Sequence, residues 1–141
     1  MKTVQELSDR LEIQDLVTAY SYAIDFHDWD GLDDIFTPDA TVDFTATGGE
    51  SGTLAEVKPW LARVLERFDA HQHLMATTRV DLAGDTATGI SLCHNPMTLT
   101  ADGTEHRLMV GIWYRDEFVR TAAGWRIASR VQQKGHMWSW T

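Results

Sequence analysis

Apolar residues recur through the first 24 positions at helical spacing, on two faces rather than one. Val4, Leu7 and Leu11 share one stripe, and Ile13, Leu16, Val17, Tyr20 and Ile24 share another. The pattern predicts a long amphipathic helix running into Asp25, with a kink or a separate N-terminal turn near Leu11. Asp28-Trp29-Asp30-Gly31 breaks the helix, and a second short helix extends through Phe36. Thr37-Pro38-Asp39 then reads as a turn, and a strand starts near Thr41. Residues 48–52 are a glycine-rich loop. Thr53 is placed to cap a helix in which Glu56 supplies the capping-box acid, with Val57, Trp60, Leu61, Val64, Leu65 and Phe68 as its apolar stripe. Pro59 falls inside that run, so a helix starting at Pro59 is the alternative.

From His71 onward the period changes to that of strands. The runs 71–82, 86–100, 105–119 and 125 to about 134 are separated by the turn signals Gly84-Asp85, Asp102-Gly103 and Ala123-Gly124. Long consecutive strands imply a twisted antiparallel meander with the helices in its concave side. Helices first and strands afterwards is an α+β arrangement. No repeat or linker divides it, so residues 1–141 read as one domain.

Charge and composition then exclude several partners. Twenty-one acidic against twelve basic residues give a net charge of -9, which opposes binding to nucleic acid or to anionic membrane. No apolar run reaches membrane-spanning length, and the first twenty residues alternate charged and apolar types, so a cytoplasmic protein is expected. Cys93 is the sole cysteine; it forms no intramolecular disulfide and reads as a packing residue.

The candidate chemistry centres on Asp25 and His73. A histidine abstracts a proton well when a carboxylate holds its other ring nitrogen and stabilises the imidazolium that forms. Spacing alone argues against the pair: at about 100° per residue, Asp25 lies roughly 140° from the centre of the Ile13 to Ile24 face. His71-Gln72-His73 also places two imidazoles on one strand face. A metal there needs a third ligand, for which Asp25 is the only candidate, and His27, His106 and His136 show no ligand spacing; no metal is expected. A phosphate-binding glycine loop and a nucleophile elbow are both absent, so no cofactor is expected.

The order helix, HDWDGLDDIFTPDATVDF, glycine-rich loop, helix, HQHLMATTRVDLAGDTATG and final GWRIASRV resembles the SnoaL-like branch of the nuclear transport factor 2-like superfamily. Within it the pattern is most similar to scytalone dehydratase, the bile acid 7α-dehydratases and hexachlorocyclohexane dehydrochlorinase. The resemblance implies a cone-shaped α+β barrel, its curved and mostly antiparallel sheet enclosing the N-terminal helices around an apolar pocket. It implies that Asp25 and His73 form a catalytic pair and that Arg130 assists a leaving group. It further implies that Tyr20 touches the substrate, with Phe44 and Trp60 as walls. Met97 and Ile24 stand where scytalone dehydratase has a histidine and a tyrosine, so scytalone itself is not the expected substrate.

Strand register decides what else meets His73. A three-residue loop 83–85 places Asn95 opposite His73, whereas a two-residue Gly84-Asp85 turn brings His94 there; Asn95 is preferred because the matching position in the dehydrochlorinase lines its pocket. Leu108, Val110 and Ile112 then share that face, with Val110 in the substrate wall. The same register puts Leu74, Ala76, Val80, Leu92 and Trp113 on the outer face. Their burial, and the trimeric state of the similar proteins, imply a homotrimer, with a dimer as runner-up. The aromatic C-terminus, residues 135–140, either covers the pocket mouth or enters a subunit contact. The expected function is a cofactor-independent, dehydratase-like lyase acting on a small apolar or polycyclic hydroxylated molecule. A non-catalytic binding module and a double-bond isomerase are the alternatives.

Overall fold

Helix α1, Val4–Asp25, opens on a reciprocal capping box between Thr3 and Glu6 and runs unbroken to Asp25. In the computed structural model, which describes residues 1–141, no separate N-terminal turn forms near Leu11. Val4, Leu7 and Leu11 stay exposed, while Ile13, Val17, Tyr20 and Ile24 are buried against the sheet. The buried Asp9 ties the helix to the far end of that sheet. It accepts two hydrogen bonds from the Arg120 guanidinium, at 2.7 and 2.9 Å, and one from the Trp125 indole at 3.0 Å. The Arg120 bonds, followed by that of Trp125, hold its carboxyl well below the usual carboxylate range.

After α1 the chain makes a single 3-10 turn, Asp30–Asp34, and enters β1, Phe36–Asp43. The segment read as a Thr37-Pro38-Asp39 turn therefore belongs to a strand, and the short helix ends before Phe36. Pairing of β1 shifts between Phe36 and Thr41, the stretch holding Pro38, which has no N–H to give a ladder. β2, Ser51–Thr53, pairs antiparallel with β1. Helix α2, Leu54–Leu65, starts at the Thr53–Glu56 capping box, so Pro59 lies inside it rather than at its start. Leu54, Val57, Leu61 and Leu65 form its buried face.

The remaining strands are β3 (Ala70–His71), β4 (Leu74–Ala83), β5 (Thr86–Ala101), β6 (Thr104–Thr121) and β7 (Gly124–Trp140). The sheet runs β2-β1-β7-β6-β5-β3, with β4 also on β5. Only the β1–β7 pairing is parallel. The sheet is curved and open, with both helices in its concave side; β7 runs to Trp140 instead of ending near residue 134.

Three bulges set the geometry. On β4, Met75 pairs with Cys93 and Thr78 with Ser91, so Ala76 and Thr77 together oppose Leu92. On β7, Ala128 is the extra residue between the Phe118–Ile127 and Glu117–Ser129 pairs, and Gly135 between Ile112–Lys134 and Gly111–His136. Each bulge bends its strand and exchanges the faces beyond it. The β4–β5 turn is the two-residue one, since Ala83 pairs with Thr86. The bulge then restores the register that a three-residue loop would have given, and Asn95 rather than His94 reaches His73. Val80 lies on the turn side of the bulge and points inward, 6% exposed, which corrects its assignment to the outer face. Leu74 and Trp113 do lie outward, 63% and 37% exposed.

Candidate active site

His73 occupies the gap between β3 and β4, where its amide has left the ladder. That N–H donates to the Asp25 carboxylate instead, at 2.8 Å to Oδ2 and 3.1 Å to Oδ1. The His73 ring approaches the same group, Nδ1 to Asp25 Oδ1 at 2.8 Å. An ionised carboxylate only accepts, so the proton between them belongs to Nδ1 and the Nε2 lone pair points away from Asp25. Asn95 Nδ2 donates to that lone pair at 3.2 Å. The Asn95 Oδ1 is buried and has no partner. Burial pushes the Asp25 carboxyl up, but the hydrogen bonds from the His73 ring and backbone outweigh it and leave the group below its ordinary value.

On the Nε2 side lies a partly open pocket, a cavity of about 200 Å³. Tyr20, Phe44, Trp60, His73, Asn95 and Val110 all line it. Larger surface depressions exist, one of about 580 Å³ against α1 and the β6–β7 turn, but that one is more open and pairs its apolar lining with the carboxylates of Glu12, Asp15, Asp28 and Asp34, without a histidine. The 200 Å³ cavity is where acid–base chemistry and an apolar wall coincide. Met97, Leu108, Tyr114 and Met137 are among the further residues of that wall, and Gln132, which accepts from the Thr47 hydroxyl at 2.6 Å, is a polar group within it. Tyr114 was not singled out from sequence, although the alternation through Val110 and Ile112 leads to it.

Arg130 is not part of the cavity wall. Its side chain is fully buried, bidentate on Asp116 at 2.8 Å through both Nε and Nη2. Its guanidinium carbon sits 4.1 Å from the centroid of Tyr20 and 4.2 Å from that of Tyr114. Arg130 is thus one layer behind the cavity, between two tyrosines that line it. Burial raises the Tyr20 phenol and drives Tyr114 well above its ordinary range; the Arg130 charge pulls both down only in part. Both phenols are therefore neutral donors at physiological pH. Burial likewise pushes the Cys93 thiol up to about 12, which leaves it inert.

A second histidine joins the carboxylate. His71 Nδ1 lies 3.2 Å from Asp25 Oδ1, and its Nε2 lies 2.9 Å from His27 Nε2. Sequence spacing gave His27 no such partner, because the contact depends on how α1 ends. Asp28 N–H bonds Ala23 O and His27 N–H bonds Ile24 O, a two-bond helix terminus with His27 in the left-handed region at φ 57°. That turn stacks the His27 ring between Trp29 and His71, each at 5.2 Å between centroids. His94 lies on the opposite face of the sheet, against His136 at 5.4 Å. Of the C-terminal aromatics, Trp138 and Trp140 do not line the cavity and remain 52% and 44% exposed.

A family model described as SnoaL-like domain matches residues 5–131. An uncharacterized protein of Mycobacterium tuberculosis is 46% identical over 134 residues, covering 95% of this chain and 90% of the relative. Among solved structures, a Novosphingobium aromaticivorans protein described provisionally as an aromatic ring hydroxylase is 28% identical, covers 94% of each chain and superposes with a TM-score of 0.84. Hexachlorocyclohexane dehydrochlorinase type 3 from Novosphingobium barchaimii is 20% identical, with 95% and 91% of the two chains covered and a TM-score of 0.81; that likeness is one of fold.

Proposed function

The chain belongs to the SnoaL-like domain family, and on that premise we propose that it is a cofactor-independent lyase eliminating water from a small hydroxylated substrate. The observation that carries the reading is the His73 Nε2 lone pair at the wall of a largely apolar cavity, with its Nδ1–H held by Asp25 at 2.8 Å. Nε2 takes a proton from carbon, and Asp25 stabilises the imidazolium that results. The electron pair of the broken C–H bond forms the new double bond as the C–O bond opens. The departing hydroxide takes a proton from the imidazolium or from a phenol and leaves as water. Tyr20 and Tyr114 donate hydrogen bonds to the developing oxyanion, and the guanidinium of the buried Arg130–Asp116 pair backs both rings. Arg130 is in this reading a positioning and electrostatic residue that does not touch the substrate.

Cavity size narrows the substrate. About 200 Å³ lies below the ~300–1,000 Å³ typical of small-molecule pockets. A substrate of one ring or two fused rings is the expected fit. The dehydrochlorinase neighbour of the same fold accords with elimination as the reaction class. No helix is long and apolar enough to cross a membrane, and the proposed location is the cytoplasm.

The test is a panel of monocyclic and bicyclic alcohols incubated with the protein and followed by mass spectrometry. Loss of water from a member of the panel, abolished in His73→Ala, is expected. A product of unchanged mass but shifted double bond would instead establish an isomerase. Tight binding without any product would establish a binding module.

A further inference from the structure

We infer that Asp25, His71 and His73 form a binding site for a divalent transition metal, on the side of the histidines turned away from the cavity. One ligand atom from each of the three residues lies within 4.8 Å of the others. Asp25 Oδ1 is 2.8 Å from His73 Nδ1 and 3.2 Å from His71 Nδ1. Metal–ligand distances near 2.0–2.1 Å put neighbouring donors of a tetrahedral ion roughly 3.3 Å apart, so the two carboxylate–imidazole edges are already within tenths of an ångström of that spacing, and the two imidazoles close to it by rotation of their side chains. Two imidazoles and a carboxylate suit zinc, nickel, cobalt or ferrous iron better than calcium or magnesium. A surface groove of about 540 Å³ lined by Asp25, His71, Gln72 and His73 gives the ion a way in that does not pass through the cavity.

The surrounding groups fit the tautomers that a metal requires. Coordination through both Nδ1 atoms moves each ring proton to Nε2, with no net proton released. His71 Nε2–H then donates to His27 Nε2, 2.9 Å away, and His27 is held there by a left-handed backbone that a non-glycine residue adopts at a cost. His73 Nε2–H faces Asn95, whose amide, turned over, presents Oδ1. That is the buried oxygen without a partner when Nε2 is bare. The Asp25 Oδ2 keeps its bond from the His73 amide, which orients the carboxylate from outside the coordination sphere. The consequence is that metal and base exclude each other: with Nδ1 ligated and Nε2 protonated, no lone pair faces the cavity. The metal would be an inhibitor of the elimination proposed above, but its binding stands independently of that reading.

The experiment is calorimetric titration of the chelator-treated protein with Zn²⁺. Binding of one equivalent is expected, weakened in His71→Ala by more than the ~10–100-fold usual for an outer-shell partner, and weakened in His27→Ala by about that range. His94→Ala and His136→Ala, which alter the histidine pair on the other face of the sheet, are expected to bind as the wild type does. Because His71→Ala could unsettle the fold, ¹⁵N NMR of the wild-type imidazoles provides a second reading. Zn²⁺ is expected to convert His71 and His73 from the Nδ1–H to the Nε2–H tautomer. Absence of stoichiometric binding, binding lost in His94→Ala or His136→Ala but kept in His71→Ala, or unchanged tautomers at saturation would each overturn the proposal. Failure of elimination activity with metal binding intact would count against the lyase reading alone.

Discussion

At the scale of residues, the Asp25 carboxylate is the shared element of everything proposed, and its position follows from where α1 stops. It lies off the buried face of the helix, which is why a helical wheel turns it away from the core. Being the last helical residue, it is reached by the strand break at His73, and it is only 21% exposed as a result. Two linked titrations set how this cluster responds to acid. The lowered Asp25 value means the unfolded chain, near 3.8, binds its proton first; the contribution is present above that pH and is lost as pH falls through the folded value. Burial lowers His71 below its ordinary 6.5, with Asp25 opposing in part, so here too the unfolded state takes the proton first. Stability is therefore expected to fall as pH drops below about 6.5 and again below about 3.8, with no gain on acidification. Thermal melts at pH 7, 5 and 3 check this, with His71→Gln flattening the upper step and Asp25→Asn the lower. Arg130 gives a second expectation. Removing one partner of a fully buried pair leaves an uncompensated charge, so Arg130→Met is expected to destabilise by about 3–5 kcal/mol in urea unfolding. The Arg130→Met, Asp116→Leu double variant should recover much of that loss.

At the scale of elements, helices and their caps were legible because their signals are local. The Thr53–Glu56 box starts α2 where the sequence placed it, and Thr53→Ala is expected to cost about 1 kcal/mol. The turns of the meander were legible for the same reason. What the chain does not advertise is its bulges. Ala76-Thr77 and Ala128 carry no residue-level mark, and only the strand-interior Gly135 hints at its bulge, yet each shifts the register by one. Without the Ala128 bulge, Arg130 would face Arg115; with it, Arg130 pairs with Asp116, a partner that sequence could not supply. The preference for Asn95 over His94 held although the turn assumed for it did not, because the Ala76-Thr77 bulge offsets the shorter turn. Deleting Thr77 tests this. The strand would lose its extra residue, His73 and Met75 would exchange faces with their neighbours, and activity should vanish while secondary structure by circular dichroism changes little.

At the scale of the whole molecule, the bulges bend the sheet around α1 and α2 and leave a small, partly open cavity on one face. The opposite face and the chain end keep Leu74, Trp113, Trp138 and Trp140 at least a third exposed. Covering them with further copies of the chain is the simplest way to remove that apolar surface from water, and a homotrimer is expected by light scattering at micromolar concentration. A monomer of 15.9 kDa would contradict it. The family resemblance pointed to the cone and to the Asp25–His73 pair; it did not contain the His27–His71 extension, which depends on one left-handed residue after the helix. The central claim is that Asp25 makes His73 a base toward the cavity. The measurement that tests it most directly is the turnover number of Asp25→Asn on the alcohol identified by the mass-loss panel, with folding verified by its melting curve. A fall of about 10²–10⁴-fold is expected from loss of an acid–base partner, and a folded variant turning over at the wild-type rate would contradict it.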